Sequence, residues 1–136
     1  MSQLSPLTTA EIEDLFKALF LGPEDTLLPI VQKWFNPEYV QIADGQSSTF
    51  DEFVAHLKKL RSLVTKLSVK VLFLVQEGGK IADRHIVTLE KVDGSTAVLE
   101  VLLLGERDDA GKFLRVWETS RTVTGDDSSS ELATVR

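Results

Sequence analysis

The stretch "KIADRHIVTLEKVDGSTAVLEVLLLGER", residues 80–107, decides the fold. Two runs of alternating apolar and polar residues flank an Asp-Gly pair, the pattern of a β-hairpin. One face of the first run carries Ile81, Asp83, His85, Val87 and Leu89. Because successive strand side chains point to opposite faces, an aspartate and a histidine are predicted to lie in line with core residues. Ionisable groups on an apolar face indicate a pocket.

The Asp-Gly pair also predicts how the two strands pair. If it forms a two-residue turn, Val92 pairs with Ser95 and His85 lies opposite Leu102. The inward face of the second strand would then hold Val98, Glu100, Leu102 and Leu104. In that register Glu100 is placed to orient His85 through a hydrogen bond.

The last hairpin leaves two registers open. If Glu106 pairs with Lys112, Glu118 lies opposite Glu100 and Val116 shares its face. A one-residue slip would instead turn Arg115 and Trp117 inward and Glu118 outward, because strand side chains alternate. Under the first register, four ionisable side chains converge on one apolar wall: Asp83, His85, Glu100 and Glu118.

Three helices are predicted before the strands. Thr8 with Glu11, and Thr49 with Glu52, form capping boxes that begin the first and third helices. The second helix is predicted at about 25–35, and a short strand "EYVQIADG" at 38–45 follows it. Four long strands are predicted at 66–77, 80–92, 95–107 and 112–123. The polar segment 125–136 lacks periodicity and is predicted to be a disordered tail.

This order of elements predicts an α+β fold: a cone-shaped, curved antiparallel β-sheet packed against three N-terminal helices. Residues 1–124 would form a single domain whose open end is a pocket. The second sheet face would carry Ala82, Ile86, Leu99, Val101 and Leu103. An apolar strip of that size predicts a homodimer through the exposed face of the sheet.

Composition narrows the classes of function. The 136 residues are 43% hydrophobic with a net charge of −6, and no basic run interleaves with aromatics, which argues against nucleic-acid binding. There are no cysteines, which excludes disulfides and thiolate sites. No signal peptide or membrane-length apolar run is visible, so a soluble cytoplasmic protein without membrane partners is expected. The two histidines lack the spacing of a zinc helix, so no metal site is predicted.

Two segments carry a resemblance to a known superfamily. "DGQSSTFDEFVAHLKKLR" (44–61) before the strands and "DDAGKFLRVWETSR" (108–121) at their end resemble the NTF2-like, SnoaL-like proteins, which include ketosteroid isomerases, polyketide cyclases and non-catalytic binding proteins. The resemblance covers about residues 8–124. It implies the same cone-shaped fold, and the fold alone does not define an activity.

The resemblance also implies site residues. "GKFLRVWE" is similar to the last strand of SnoaL-type cyclases, and Glu118 takes the place of their acid/base aspartate. In similar epoxide hydrolases an Arg-x-Asp pair lies where this chain has His85 and Val87, so that reaction is not implied. Tyr39 lies near the position of the isomerase base, and Asp44 is a nearby alternative for it.

Two functions stay open from the sequence. The first is a cofactor-independent acid/base enzyme (an isomerase, cyclase or lyase) acting on a small apolar oxygenated compound, with Glu118 and His85 as catalytic residues. The second is a non-catalytic ligand-binding or protein-interaction domain with the same pocket. In both cases the predicted lining residues are Asp83, Glu100, Tyr39, Trp34, Leu102, Val87 and Val116.

Overall fold

The computed structural model describes residues 4–124; the predicted tail at 125–136 lies outside them. The helices are α1 (Thr9–Phe20), α2 (Leu27–Trp34) and α3 (Phe50–Leu63), with a short 3-10 turn at Glu24–Thr26. The strands are β1 (Phe35–Ala43), β2 (Gln46–Thr49), β3 (Val64–Glu77), β4 (Lys80–Lys91), β5 (Thr96–Arg107) and β6 (Phe113–Thr124). The α+β fold class is therefore confirmed.

Both predicted capping boxes are present. The Thr8 hydroxyl accepts a hydrogen bond from the Glu11 amide, and the Glu11 carboxylate accepts one from the Thr8 amide. Thr49 and Glu52 repeat the arrangement at the start of α3. These reciprocal bonds satisfy amides that the first turn of a helix leaves without partners, so the sequence fixes where both helices begin.

The six strands form one sheet in the order β2-β1-β6-β5-β4-β3. All neighbours are antiparallel except β1 and β6, which run parallel, whereas the sequence predicted an antiparallel sheet throughout. No turn connects β1 to β6, so no turn geometry fixes their relative direction. The short strand β2 was also missed, because the polar "QSST" lacks an apolar alternation.

The helices cover one face of the sheet. Register shifts bend several strands, one of them between Val71 and Phe73 of β3. At that point the Glu13 carboxylate accepts a hydrogen bond of 2.8 Å from the Val71 amide, which ties α1 to the bend. Buried side chains of the helices and of the inner sheet face form one continuous hydrophobic core.

The predicted pairing of β4 with β5 was wrong by one residue. Lys91 pairs with Ser95, so the turn holds three residues, and Gly94 adopts a left-handed conformation with φ of +85°. This is the three-residue hairpin turn, whose last position favours glycine. His85 therefore lies opposite Val101, and the inward residues of β5 are Ala97, Leu99, Val101 and Leu103.

The predicted pairing of β5 with β6 was also displaced, by three residues. Glu118 lies opposite Leu103, not Glu100, because the first pair of this hairpin is Arg107 with Phe113, and a register shift between Glu106 and Arg107 adds one more residue. Both pairings were wrong by an odd number of residues, and an odd shift turns every side chain of the strand to the opposite face of the sheet. The two exchanges cancel at β6, so Val116, Glu118 and Ser120 are still on the inner face.

Candidate functional site

A cavity of about 90 Å³ lies between the helices and the inner face of the sheet. A single water needs on the order of 10–15 Å³ on this measure, so the cavity has room for a small organic molecule. Its lining is mostly aliphatic and aromatic and comes from α1, α3 and every strand except β2. A few polar side chains break this apolar lining, as is usual for a ligand site.

Asp83 and His85 form a buried pair on β4. The His85 Nδ1 atom lies 2.6 Å from Asp83 Oδ2, and each side chain is only 1% exposed. The two residues are two positions apart, so the strand directs both into the cavity, and the Phe16 ring packs on the imidazole at 4.6 Å between centroids. With Nδ1 bonded to the carboxylate, Nε2 is the ring nitrogen left for a ligand.

Glu118 enters the cavity from β6. The pKa of its carboxyl is raised from 4.5 to about 7, chiefly because burial disfavours the charged form. The His85 charge lowers this pKa, whereas the carboxylates of Asp44 and Asp83 raise it. Near pH 7 Glu118 can therefore both accept and donate a proton.

Tyr39 and Gln41 complete the polar part of the cavity from β1. The Tyr39 hydroxyl donates to Gln41 Oε1 at 3.0 Å, and Gln41 Nε2 donates to Glu118 Oε1 at 3.4 Å. Burial, and secondarily the charge of Glu118, holds the pKa of Tyr39 well above its usual value. The sequence predicted Tyr39 as a lining residue and missed Gln41, although both fall on one face of the strand "EYVQIA".

Of the nine residues predicted for the site, six line the cavity. They are Asp83, His85, Glu118, Tyr39, Val87 and Val116. His56 of α3 and Ser120 of β6 also line it and were not predicted. Asp44, weighed as an alternative base, accepts hydrogen bonds from the Ser120 amide and hydroxyl with its two carboxylate oxygens.

The sequence prediction was wrong about Glu100, Leu102 and Trp34. The register of β5 turns Glu100 to the outer face, where its carboxylate accepts hydrogen bonds of 2.8 Å from the Nε atoms of Arg84 and Arg121. Leu102 is on the same outer face and half exposed. Trp34 ends α2 outside the cavity, with the Lys33 ammonium above its ring. Glu100 therefore cannot orient His85, and Asp83 does so.

Comparisons with known proteins agree with this architecture. No protein-family model matches the chain. An uncharacterised protein of Schizosaccharomyces pombe is 28% identical over 125 residues, covering 92% of this chain and 94% of that protein. The crystal structure of an NTF2-like protein of unknown function from Exiguobacterium sp. 255-15 has a TM-score of 0.66 at 18% identity, covering 88% and 99% of the two chains. The chain has the NTF2-like fold.

A second solved structure extends this likeness. A proposed SnoaL-like polyketide cyclase from Shewanella denitrificans has a TM-score of 0.64 at 12% identity, covering 79% of this chain and 85% of that one. Among the described residues, no group of three or more His, Asp or Glu side chains could hold a metal ion. Nor does any helix within residues 4–124 have the length and apolarity to cross a membrane.

Proposed function

We propose that the protein is a cofactor-independent acid/base enzyme, an isomerase, cyclase or lyase, acting on a small apolar oxygenated compound. The observation that carries the proposal is the buried Asp83–His85 pair, which shares an apolar cavity with a carboxyl group whose pKa is about 7. Strongly perturbed carboxyl groups in a cavity are typical of functional sites. The likeness to a proposed polyketide cyclase agrees with this class of chemistry.

In the proposed reaction His85 is the base and Glu118 is the acid. Nε2 of His85 removes a proton from a carbon beside a carbonyl group, and the electron pair of that C–H bond forms the C=C bond of an enol. Protonated Glu118 gives its proton to the carbonyl oxygen, which takes up the π electrons of the C=O bond. The step therefore involves no net oxidation or reduction and needs no redox partner. Return of a proton to a different carbon, or attack of the enol on a second carbonyl group, gives the isomer or the ring.

Asp83 would act through His85. Its carboxylate accepts the Nδ1 proton, fixes the tautomer that leaves Nε2 unprotonated, and stabilises the imidazolium that forms. The apolar walls would exclude water, which strengthens these electrostatic interactions and protects the enol from solvent.

Solvent deuterium exchange tests the proposal. A panel of apolar ketones, 1,3-diketones and enones is incubated with the protein in D₂O near neutral pD, and deuterium uptake is followed by mass spectrometry. We expect uptake above the buffer rate for at least one member of the panel. Glu118→Gln and His85→Gln should each reduce it by about 100-fold or more, the usual contribution of a general acid or base.

Glu100→Gln is the matched control, since it removes a carboxylate from the outer face of the same sheet. It should leave the exchange rate unchanged. An exchange rate for the wild type no higher than that of the Glu118→Gln/His85→Gln double variant would contradict the proposal. Saturable binding of panel compounds without exchange would favour a ligand-binding protein instead.

A further inference from the structure

Gln41 lies in the polar part of the cavity, and the proposed reaction assigns it no role. It is almost fully buried, and it lies between a buried tyrosine hydroxyl and the carboxyl group of Glu118. A primary amide has one accepting and one donating end, so its orientation decides what it offers to each neighbour. We infer that Gln41 is a positioning residue that selects which oxygen of Glu118 carries the exchangeable proton, and that Tyr39 holds Gln41 in the required orientation.

The orientation of Gln41 follows from Tyr39. The tyrosine hydroxyl is a donor here, since its elevated pKa keeps it protonated at any physiological pH. Its only hydrogen bond within residues 4–124 is the one to Gln41 Oε1, at 3.0 Å. Turning the amide over would place the Gln41 N–H₂ group against this hydroxyl and leave the buried Tyr39 proton without an acceptor, which costs about 1–3 kcal/mol.

Nε2 of Gln41 is therefore directed at Glu118 Oε1 and can only donate to it. An oxygen that accepts an N–H bond is the one that stays unprotonated, so the proton of neutral Glu118 belongs on Oε2. Oε2 makes no hydrogen bond with the described residues, and the side chain lines the cavity. The arrangement presents the acidic proton to a ligand, whereas the reversed amide would accept that proton itself.

Neighbouring strands supply this geometry. Tyr39 and Gln41 are two positions apart on β1, and the parallel pairing sets Gln41 beside Val116 and Ala43 beside Glu118 of β6. Rings of Phe35 and Phe53 pack on the Tyr39 ring, each within 5 Å between centroids. The inferred role of Gln41 in catalysis rests on the proposed function, but its effect on the pKa of Glu118 does not.

Titration of the Glu118 carboxyl group tests the inference without a substrate. The ¹³C NMR signal of labelled Glu118 is followed against pH in the wild type and in two variants. Gln41→Met removes the donor at nearly constant size, so the carboxylate loses a stabilising bond and its pKa should rise by about 0.5–1. Tyr39→Phe frees the amide to turn over and accept the Glu118 proton, so the pKa should rise in that variant as well.

Phe53→Leu is the control, because it disturbs packing on the same tyrosine ring without removing a hydrogen bond. The Glu118 pKa should stay at its wild-type value there. An unchanged or lowered pKa in a folded Gln41→Met or Tyr39→Phe protein would overturn the inference, and so would an equal rise in Phe53→Leu. A rise confined to the two polar variants would support it even if no deuterium exchange is found, so the two proposals fail separately.

Discussion

At the scale of single residues, the most consequential property is the ionisation of Glu118. A carboxyl group whose pKa is raised on folding is neutral in the native state at a pH where the unfolded chain would lose the proton. Its contribution to stability is fully present below the unfolded pKa of 4.5 and is lost as the pH rises through about 7. Glu118 therefore lowers the unfolding free energy of the protein at neutral and alkaline pH, as functional groups often do.

Glu118→Gln should accordingly stabilise the protein in alkaline solution. The difference in unfolding free energy between this variant and the wild type should increase by about 3 kcal/mol from pH 4 to pH 8. This value is the rise in the Glu118 pKa multiplied by 1.36 kcal/mol per pKa unit. Urea denaturation of both proteins at a series of pH values measures this. Arg121 and Arg84 lower the pKa of Glu100, so Glu100→Gln should show the opposite trend. A pH-independent difference for Glu118→Gln would contradict the assignment.

The residue scale also shows what the sequence could reveal about the site. Period-two alternation placed Asp83 and His85 together, because the two residues share one strand. Their direct hydrogen bond was missed, since the predicted register offered Glu100 as the partner of His85. The sequence did not indicate Gln41 as a site residue, because its role depends on Tyr39 and on Glu118, which is 77 positions away.

At the scale of elements, the signals that lie within a few residues were predicted correctly, whereas the strand registers depended on the length of each turn. The capping boxes of α1 and α3 are local, and they were read correctly. The register of β5 was not, because Asp93-Gly94 suits both a two-residue turn and the end of a three-residue turn. Arg61 of α3 donates hydrogen bonds to the carbonyl oxygens of Leu19 and Pro23 near the end of α1, which no local sequence pattern indicates. Contacts between distant segments leave no local pattern.

The turn between β4 and β5 gives a test at this scale. Gly94 has φ of +85°, and a Cβ atom there would meet no neighbour within 4 Å, so only backbone strain opposes substitution. Gly94→Ala should lower the unfolding free energy by about 1 kcal/mol. Gly94→Asn should cost less, because asparagine tolerates the left-handed region. Urea denaturation compares the three proteins, and an alanine variant as stable as the wild type would be inconsistent with this turn.

At the scale of the whole molecule, the outer face of the sheet carries an exposed apolar row. Val75, Ala82, Leu104 and Trp117 are consecutive neighbours across β3, β4, β5 and β6. The predicted strip was wrong about Leu99, Val101 and Leu103, which are buried on the inner face. Alternate residues of the same strand supply the outer row instead, as the corrected register requires.

We propose that a second copy of the chain covers this row. Glu100 on the same face pairs with both Arg84 and Arg121 and so offsets one of their two positive charges, which weakens repulsion between two copies related by a two-fold axis. Sedimentation at about 10 μM should give a dimer, and Leu104→Lys should give a monomer by placing a charge in the apolar contact. Val92→Lys alters an exposed apolar residue in a turn and should leave the dimer intact. A monomeric wild type at this concentration would exclude the proposal.

The central claim is that the Glu118 carboxyl group shares the apolar cavity with the Asp83–His85 pair and has its pKa raised there. NMR titration of the Glu118 carboxyl carbon in the wild-type protein tests it most directly. We predict that Glu118 titrates near pH 7, because burial in the cavity disfavours its charged form. A Glu118 titration near pH 4.5 would contradict it.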